Sequence, residues 1–464
     1  MILVIVGIFL MLLSWYVTLQ SWRLGVALLL LYIPFAGTVT FALYPSSLPT
    51  LFKDFYFVIP VYMGFWLGRR DEAPKERVPD LVRFMIFALV FLVFIQSFNP
   101  GLASWLVAAI GAKIWLFYLP LLFVAFAIVE SRNDLINLLR ILVVVAWIPC
   151  AIGILEWLAS MTFGYQETML AVYGRAAEGA TQNFAHFDLG GEFFRIPSTF
   201  TFVTQYYGYT LSMIVPSFAL TKLDESDGWR KFAIATMWLA VVASFMCGER
   251  GAYVFVPLLL LMVFWLEDLF KGGAKLILML MPVLLLALYV AGIEPMKLYS
   301  MVKELFLHYS DNIARKGLMD AIRSSPLGTG TGMNTGPARY AFNVPDSFVG
   351  IENYYAKAVV ELGIPGLMVV AGLFLAIIGH GYGIHSRLRD PGLRSCASIF
   401  LAYVVIISLS SFKGWQIDLD PVNVYFWMFS GFMLKLEYLE RDEFPETVEA
   451  VDYAMGRGKV PGSA

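Results

Sequence analysis

Charge is scarce in this chain. Only 15% of its 464 residues are Asp, Glu, Lys or Arg, against roughly 25% in ordinary soluble domains, and 59% are hydrophobic. With a mean hydropathy of +0.72, that balance excludes a soluble globular protein. No excess of either sign exists: 33 basic residues face 35 acidic ones, so the basic surface that nucleic acids require is missing and no nucleic-acid partner is expected. Cysteine is nearly absent as well. Cys150, Cys247 and Cys396 are odd in number, far apart and set in or beside apolar runs, which excludes a disulfide framework and any metal-ligand spacing. Among the 4 histidines, His186 and His308 fall in polar stretches and read as solvent-exposed. Walker A and dinucleotide fingerprints are also lacking.

What the chain has is long uncharged runs. A bilayer core about 30 Å thick needs roughly 20 mostly apolar helical residues, and lipid forces every backbone group to be satisfied within the helix. Such runs predict about thirteen (12–14) transmembrane helices near 1–20, 24–44, 51–68, 82–98, 107–129, 137–158, 199–221, 232–248, 252–268, 275–293, 359–380, 395–412 and 421–436. The expected fold class is therefore an all-α integral membrane protein. A polytopic domain spans 1–436 with two long loops, about 159–198 and a partly helical 294–358, followed by a polar tail at 437–464. The start, Met1-Ile2-Leu3, has no basic leader, so the first span is expected to be retained. Pro60, Pro120, Pro216, Pro257 and Pro282 fall inside runs and should kink helices. The many Trp, Tyr and Phe fit interfacial belts and packing.

Orientation follows from Lys and Arg, which accumulate in short cytoplasmic loops. Sixteen lie on one side: Arg23, Arg69, Arg70, Lys75, Arg77, Arg83, Arg132, Arg140, Lys222, Arg230, Lys231, Lys271, Lys275, Arg387, Arg389 and Arg394. The short loops of the other side hold Lys53, Lys113, Arg250 and Lys413. The first set is then cytoplasmic, the amino terminus and both long loops lie outside, and the tail lies inside. Cytoplasmic loops this short leave no room for a soluble catalytic domain, so any chemistry is extracytoplasmic.

Ionisable groups beside a membrane are functional candidates by default, and four outer positions qualify: Arg195, Arg250, Arg315 and Glu352. Arg250 lies in Cys247-Gly248-Glu249-Arg250-Gly251, a tight break between two apolar runs. Its guanidinium is a permanently charged fork of donors suited to phosphate, with an interfacial anchor paired to Glu249 as the alternative. Arg195 ends the first long loop just before a span, where a phosphate contact and a structural anchor are equally open. The stretch Asp311-Asn312-Ile313-Ala314-Arg315 through Arg323 predicts an amphipathic helix capped by Asp311 or Asn312, with Arg315 and Arg323 on one face. Surface pairs with Asp311 and Asp320 would explain the same helix. Beyond it, Pro326-Leu327-Gly328-Thr329-Gly330-Thr331-Gly332 is a glycine-dense turn that is either plain or a nest of N–H groups facing an anion. Glu352, in Glu352-Asn353-Tyr354-Tyr355, has the carboxylate of a general base, and an ion pair with an arginine is its alternative.

Taken in order, these pieces resemble the Wzy-like O-antigen polymerase and O-antigen ligase family of membrane glycosyltransferases, over approximately residues 190–380. Glu249-Arg250-Gly251-Ala252 opening a span carries the resemblance, with Arg315 followed by the glycine turn, and Asn353 followed by Gly363-Ile364-Pro365-Gly366. It implies transfer of a glycan from undecaprenyl diphosphate to an acceptor hydroxyl outside the bacterial inner membrane. No cofactor and no metal are implied. Donor and acceptor are undecaprenyl-diphosphate-linked oligosaccharides, and chain-length regulators or export proteins are the further partners. Arg195, Arg250 and Arg315 would hold the diphosphate, with Arg323, Asn353 and Tyr354 also on the substrate.

Two departures bear on the branch. Ligases usually carry a histidine before the asparagine where this chain has Glu352, which favours a polymerase of capsule, exopolysaccharide or O-antigen units. The family's usual glycine and Pro-Asn pair beside Arg195 are replaced by Ser198 and Val203-Thr204-Gln205. The leading expectation is an inverting polymerase with Glu352, Arg250 and Arg315 as catalytic residues. A ligase with a lipid or protein acceptor, another lipid-linked glycosyltransferase, and a transporter without chemistry are the competing readings; the last would show ionisable groups at mid-span.

Overall fold

The computed structural model of the chain describes residues 2–46, 48–68, 76–174, 176, 187–188, 192–267, 303, 307, 317–338 and 352–443. Regular structure among them is helical, apart from a short antiparallel hairpin of β1 (Phe187–Asp188) and β2 (Glu192–Phe193). The helices are α1 (Ile2–Gln20), α2 (Trp22–Ala42), α3 (Ile59–Gly68), α4 (Asp80–Gln96), α5 (Trp105–Ile128), α6 (Arg132–Phe163) and α7 (Tyr165–Tyr173). They continue with α8 (Val203–Leu223), α9 (Asp227–Met246), α10 (Ala252–Leu266), α11 (Leu318–Ser324), α12 (Tyr354–Arg387), α13 (Pro391–Ser410) and α14 (Val422–Glu443).

Among the described residues α2, α5, α6, α9, α12 and α13 are long and apolar enough to cross a bilayer, and α1 and α10 are shorter apolar helices. The protein is a helical membrane protein. Its outer surface is apolar as well as its core: α4 exposes Phe84, Phe87, Phe91 and Phe94 along one face, and α1 exposes Ile5, Ile8, Phe9 and Leu12. Such contiguous apolar surface has no place in water and belongs against lipid. The centre is protein-packed. In α8 all but a few residues at its two ends are buried, and the hydroxyls of Thr210, Ser212 and Ser217 donate to carbonyls one turn back. Its neighbours α13 and α14 are equally enclosed.

Local chemistry explains the boundaries. Ser131 and Asp134 form a capping box at the start of α6, Ser104 caps α5, and Asp390 followed by Pro391 starts α13. Pro120 sits where α5 breaks between Leu116 and Leu121. The run at 51–68 begins with a π-helical turn, Asp54–Val58. Several elements run past the apolar stretches that announced them. Helix α6 continues to Phe163 and α7 follows within the expected loop at 159–198; α12 takes in 354–358, and α14 extends beyond 436 to Glu443. The span expected at 275–293, Pro282, most of the second long loop and the tail from 444 lie outside the described residues, as do His186 and His308.

Ion pairs separate the bundle into two ends. At one end Arg23 meets Glu130, Glu76 meets Lys435, Arg132 meets Asp390 and Glu443, Arg140 grips Asp224 at 2.7 Å and Arg387 grips Glu437 at 2.8 Å. These pairs tie together the loops that sequence placed on a single side. At the other end Lys53 meets Asp420, Lys113 meets Asp54 at 2.5 Å, Lys357 meets Asp418 at 2.5 Å, and Glu249 bridges Arg195 and Lys413.

Candidate functional site

The second end holds most of the candidate residues. Residues 247–251 form the turn between α9 and α10, and a glycine makes their docking feasible. Gly248 has φ +78°, and a Cβ there would lie 2.0 Å from the Phe194 carbonyl oxygen and 3.0 Å from the Arg195 Cα. With no side chain in the way, the Ile196 N–H donates to the Cys247 carbonyl at 2.9 Å, so the segment carrying Arg195 lies flat against the turn carrying Arg250.

That close approach sets up a shared carboxylate. Glu249 is 8% exposed; its Oε2 accepts from Arg195 Nη2 at 2.7 Å and its Oε1 from Lys413 Nζ at 2.7 Å. Burial pushes this carboxyl up, but the ammonium of Lys413 and the guanidinium of Arg195 outweigh burial and hold it below the ordinary glutamate value. Burial also pushes the neighbouring Cys247 thiol up to about 12, so it stays protonated. Arg250 itself is exposed.

The next residues after Arg195 are held in an uncommon conformation. Ser198 has φ +52° and is 1% exposed. Its N–H donates to Glu156 Oε2 at 3.0 Å, its hydroxyl to the Pro149 carbonyl at 2.7 Å, and its carbonyl accepts from Tyr173 Oη at 2.5 Å. Backbone strain of this kind costs on the order of 1–3 kcal/mol and persists only where the surroundings enforce it. Here Glu156 of α6 and Tyr173 of α7 do so, fixing the chain that presents Arg195.

The glycine-dense turn does face an anion, and the anion is the chain's own. Glu361, fully buried on α12, accepts from the Gly332 N–H at 2.9 Å, the Asn334 N–H at 2.8 Å, Thr335 Oγ1 at 2.9 Å and Trp115 Nε1 at 2.7 Å. The turn is thus a filled nest. Its far side is tied to the end of α4, through Gln96 Nε2 on the Leu327 carbonyl at 2.7 Å and Ser97 Oγ beside Thr331 Oγ1 at 3.1 Å. Backbone meets backbone where α12 breaks. Gly363 has φ +78°, a Cβ there would lie 2.7 Å from the Leu327 carbonyl carbon, and the Ile364 N–H donates to the Pro326 carbonyl at 2.9 Å.

Glu352 and Asn353 open α12. Asn353 is fully buried and its side-chain oxygen accepts from the N–H groups of Tyr355 at 2.9 Å and Ala356 at 3.1 Å, the geometry of an N-cap. The Tyr354 N–H donates to the Ser411 carbonyl at 2.9 Å, which ties the start of α12 to the segment that carries Lys413 two residues later. Glu352 is exposed. One turn into α12, Lys357 is wholly buried between Asp418 and the Trp115 ring, 4.7 Å from its centroid; burial pushes the Asp418 carboxyl up against the pull of Lys357.

The arrangement therefore assembles Arg195, Glu249, Arg250 and Lys413 around one turn, with Glu352 and Asn353 on an adjoining segment. Arg323 is exposed on α11, Tyr354 is buried and stacks on Phe374 with ring centroids 6.2 Å apart, and Arg315 lies outside the described residues. The sequence left a pair between Glu249 and Arg250 as the alternative to a phosphate contact; the structure shows Glu249 accepting from Arg195 and Lys413. It assigned Lys413, Glu361 and Lys357 no role, since their neighbours are far away in the chain. Among the described residues no group of three or more His, Cys, Asp or Glu side chains is placed to hold a metal ion. No protein-family model and no curated protein matches the chain.

Proposed function

We propose that this protein is a polysaccharide polymerase of the inner membrane of bacteria that joins undecaprenyl-diphosphate-linked repeat units on the extracytoplasmic face. One observation carries the reading: Arg195 and Lys413, 218 residues apart in sequence, converge on Glu249 in the turn that bears Arg250, at the end of an apolar bundle. A lipid-anchored diphosphate occupies that same boundary between hydrocarbon and water. Arginine offers its phosphate oxygens paired, charge-assisted donors.

In the proposed step the Glu352 carboxylate takes the proton of an acceptor sugar hydroxyl. The hydroxyl oxygen bonds to the anomeric carbon of the donor while the bond from that carbon to the diphosphate oxygen breaks with its electron pair. Undecaprenyl diphosphate leaves with one more negative charge than the bound diester carried. Arg250 and Arg315 stabilise that growing charge, and losing one such donor costs about 2.7–4 kcal/mol of transition-state stabilisation.

The test is reconstitution of the purified chain in liposomes with a lipid-linked repeat unit. Laddered product on a gel is expected, with Arg250→Ala and Arg315→Ala variants of normal melting temperature making little. Wild-type yield and length from both variants would remove the reading. Transfer of preformed chains to a lipid or protein acceptor, with no laddering from single units, would move the assignment to a ligase.

A further inference from the structure

Among the described residues, two buried donors near the Glu249 turn have no partner. Arg195 uses Nη2 on Glu249, and its Nε–H is enclosed with no acceptor. Tyr207, on α8 and 2% exposed, has a hydroxyl with no partner. Its ring belongs to the same place: a Cβ on Gly251 would lie 3.1 Å from Lys413 Nζ and 3.5 Å from Tyr207 Cε1. Buried polar groups are nearly always hydrogen-bonded, and an enclosed donor left unpaired forfeits the hydration it had in the unfolded chain. Arg195 and Lys413 flank the one carboxylate of Glu249, and the turn itself carries Arg250 next in sequence. Both the missing acceptors and the sign of the charge call for a multiply charged oxyanion.

We propose that Lys413 and Tyr207 are substrate-binding residues of the diphosphate site, and that Glu249 is a positioning residue that holds Arg195 and Lys413 together. The inference rests on the proposed function for the identity of the anion, a diphosphate, and adds two contacts to it. A diphosphate oxygen accepting from Arg195 Nε and Tyr207 Oη would satisfy both donors at once. Lys413 adds a point charge that needs no fixed geometry, while the guanidinium sets direction.

The full chain in lipid nanodiscs is titrated with farnesyl diphosphate and, separately, with inorganic pyrophosphate, and binding is read by calorimetry. Farnesyl diphosphate is expected to bind, with at least tenfold loss in Lys413→Ala, about threefold loss in Tyr207→Phe, and recovery in Lys413→Arg. Tyr207→Phe keeps the ring and so keeps the packing, which covers the case in which Lys413→Ala does not fold. Unchanged affinity in Tyr207→Phe together with unchanged affinity in a folded lysine variant overturns the inference, as does failure of the wild type to bind either probe. Pyrophosphate binding as tightly as farnesyl diphosphate supports the anion site and assigns it to a free diphosphate. Wild-type binding with no laddered product in liposomes sinks the polymerase reading alone, whereas laddering unaffected by both substitutions sinks this inference alone.

Discussion

At the scale of single residues, Glu249 is the group on which the candidate site turns. Its carboxylate is buried and shared by two cations, so Glu249→Gln leaves Arg195 and Lys413 facing a neutral amide, at a cost of about 3–5 kcal/mol at neutral pH. The pH dependence has a definite sign. A carboxyl held below its unfolded value of 4.5 contributes stability that is complete above that value and is lost as pH falls through the lower folded value. The gap in melting temperature between wild type and Glu249→Gln should be constant from pH 6 to 8 and close below about pH 4.5; a gap that persists at the acid limit would show that the carboxylate charge is irrelevant. Arg250 behaves differently because it is exposed. Arg250→Ala should lower polymer yield about 10²–10³-fold per mole of folded protein, the loss expected of one transition-state donor.

At the scale of elements, the contact between the glycine turn and the break in α12 is the joint that positions the start of that helix. Gly363→Ala must place a Cβ 2.7 Å from the Leu327 carbonyl carbon in a backbone region with φ +78° and ψ −175° that essentially only glycine occupies. The expected loss is about 2 kcal/mol or more, read as a fall in denaturant midpoint. Glu361→Gln tests the same joint from the other side. An amide nitrogen would replace one oxygen of a carboxylate whose two oxygens each accept from two donors; placed toward Thr335, whose hydroxyl can turn to accept, it still sets its N–H against the Asn334 N–H, and the remaining bonds lose their charged acceptor. A loss of about 3 kcal/mol is expected, and a melting temperature within a degree of wild type would contradict the filled nest. The sequence showed the glycines and the following Glu361-Leu362-Gly363-Ile364-Pro365-Gly366 as separate motifs. Their spacing in the chain carries no record of which N–H groups face which carboxylate. The helices were legible because burial in lipid demands long apolar runs, and those runs are local. Their ends were less so: the first turn of α12 contains Lys357, which looks like a loop residue until Asp418 and Trp115 are placed beside it.

At the scale of the whole molecule, the two sets of ion pairs, each confined to one end, follow the alternation of Lys and Arg along the sequence. The pairs Arg23 with Glu130, Arg132 with Asp390 and Arg387 with Glu437 connect helices that sequence alone assigned to a common side from charge counting. Two carboxylates enclosed within helices, Glu156 and Glu361, are bound to fixed hydroxyls and N–H groups of the chain, an arrangement that anchors structure. The proposed chemistry needs the end that bears Arg250 to face outward, and this can be measured directly. The three native cysteines are buried, so single cysteines can be read against a silent background. Ala103→Cys, exposed just before α5 at the Glu249 end, should react in intact spheroplasts with a membrane-impermeant maleimide, and Ser386→Cys, exposed near the end of α12, should react only after the cells are opened. The reverse pattern would put the candidate anion site in the cytoplasm, where the polymerase reading has no substrate, and equal labelling of both positions in intact spheroplasts would contradict the two-ended bundle itself.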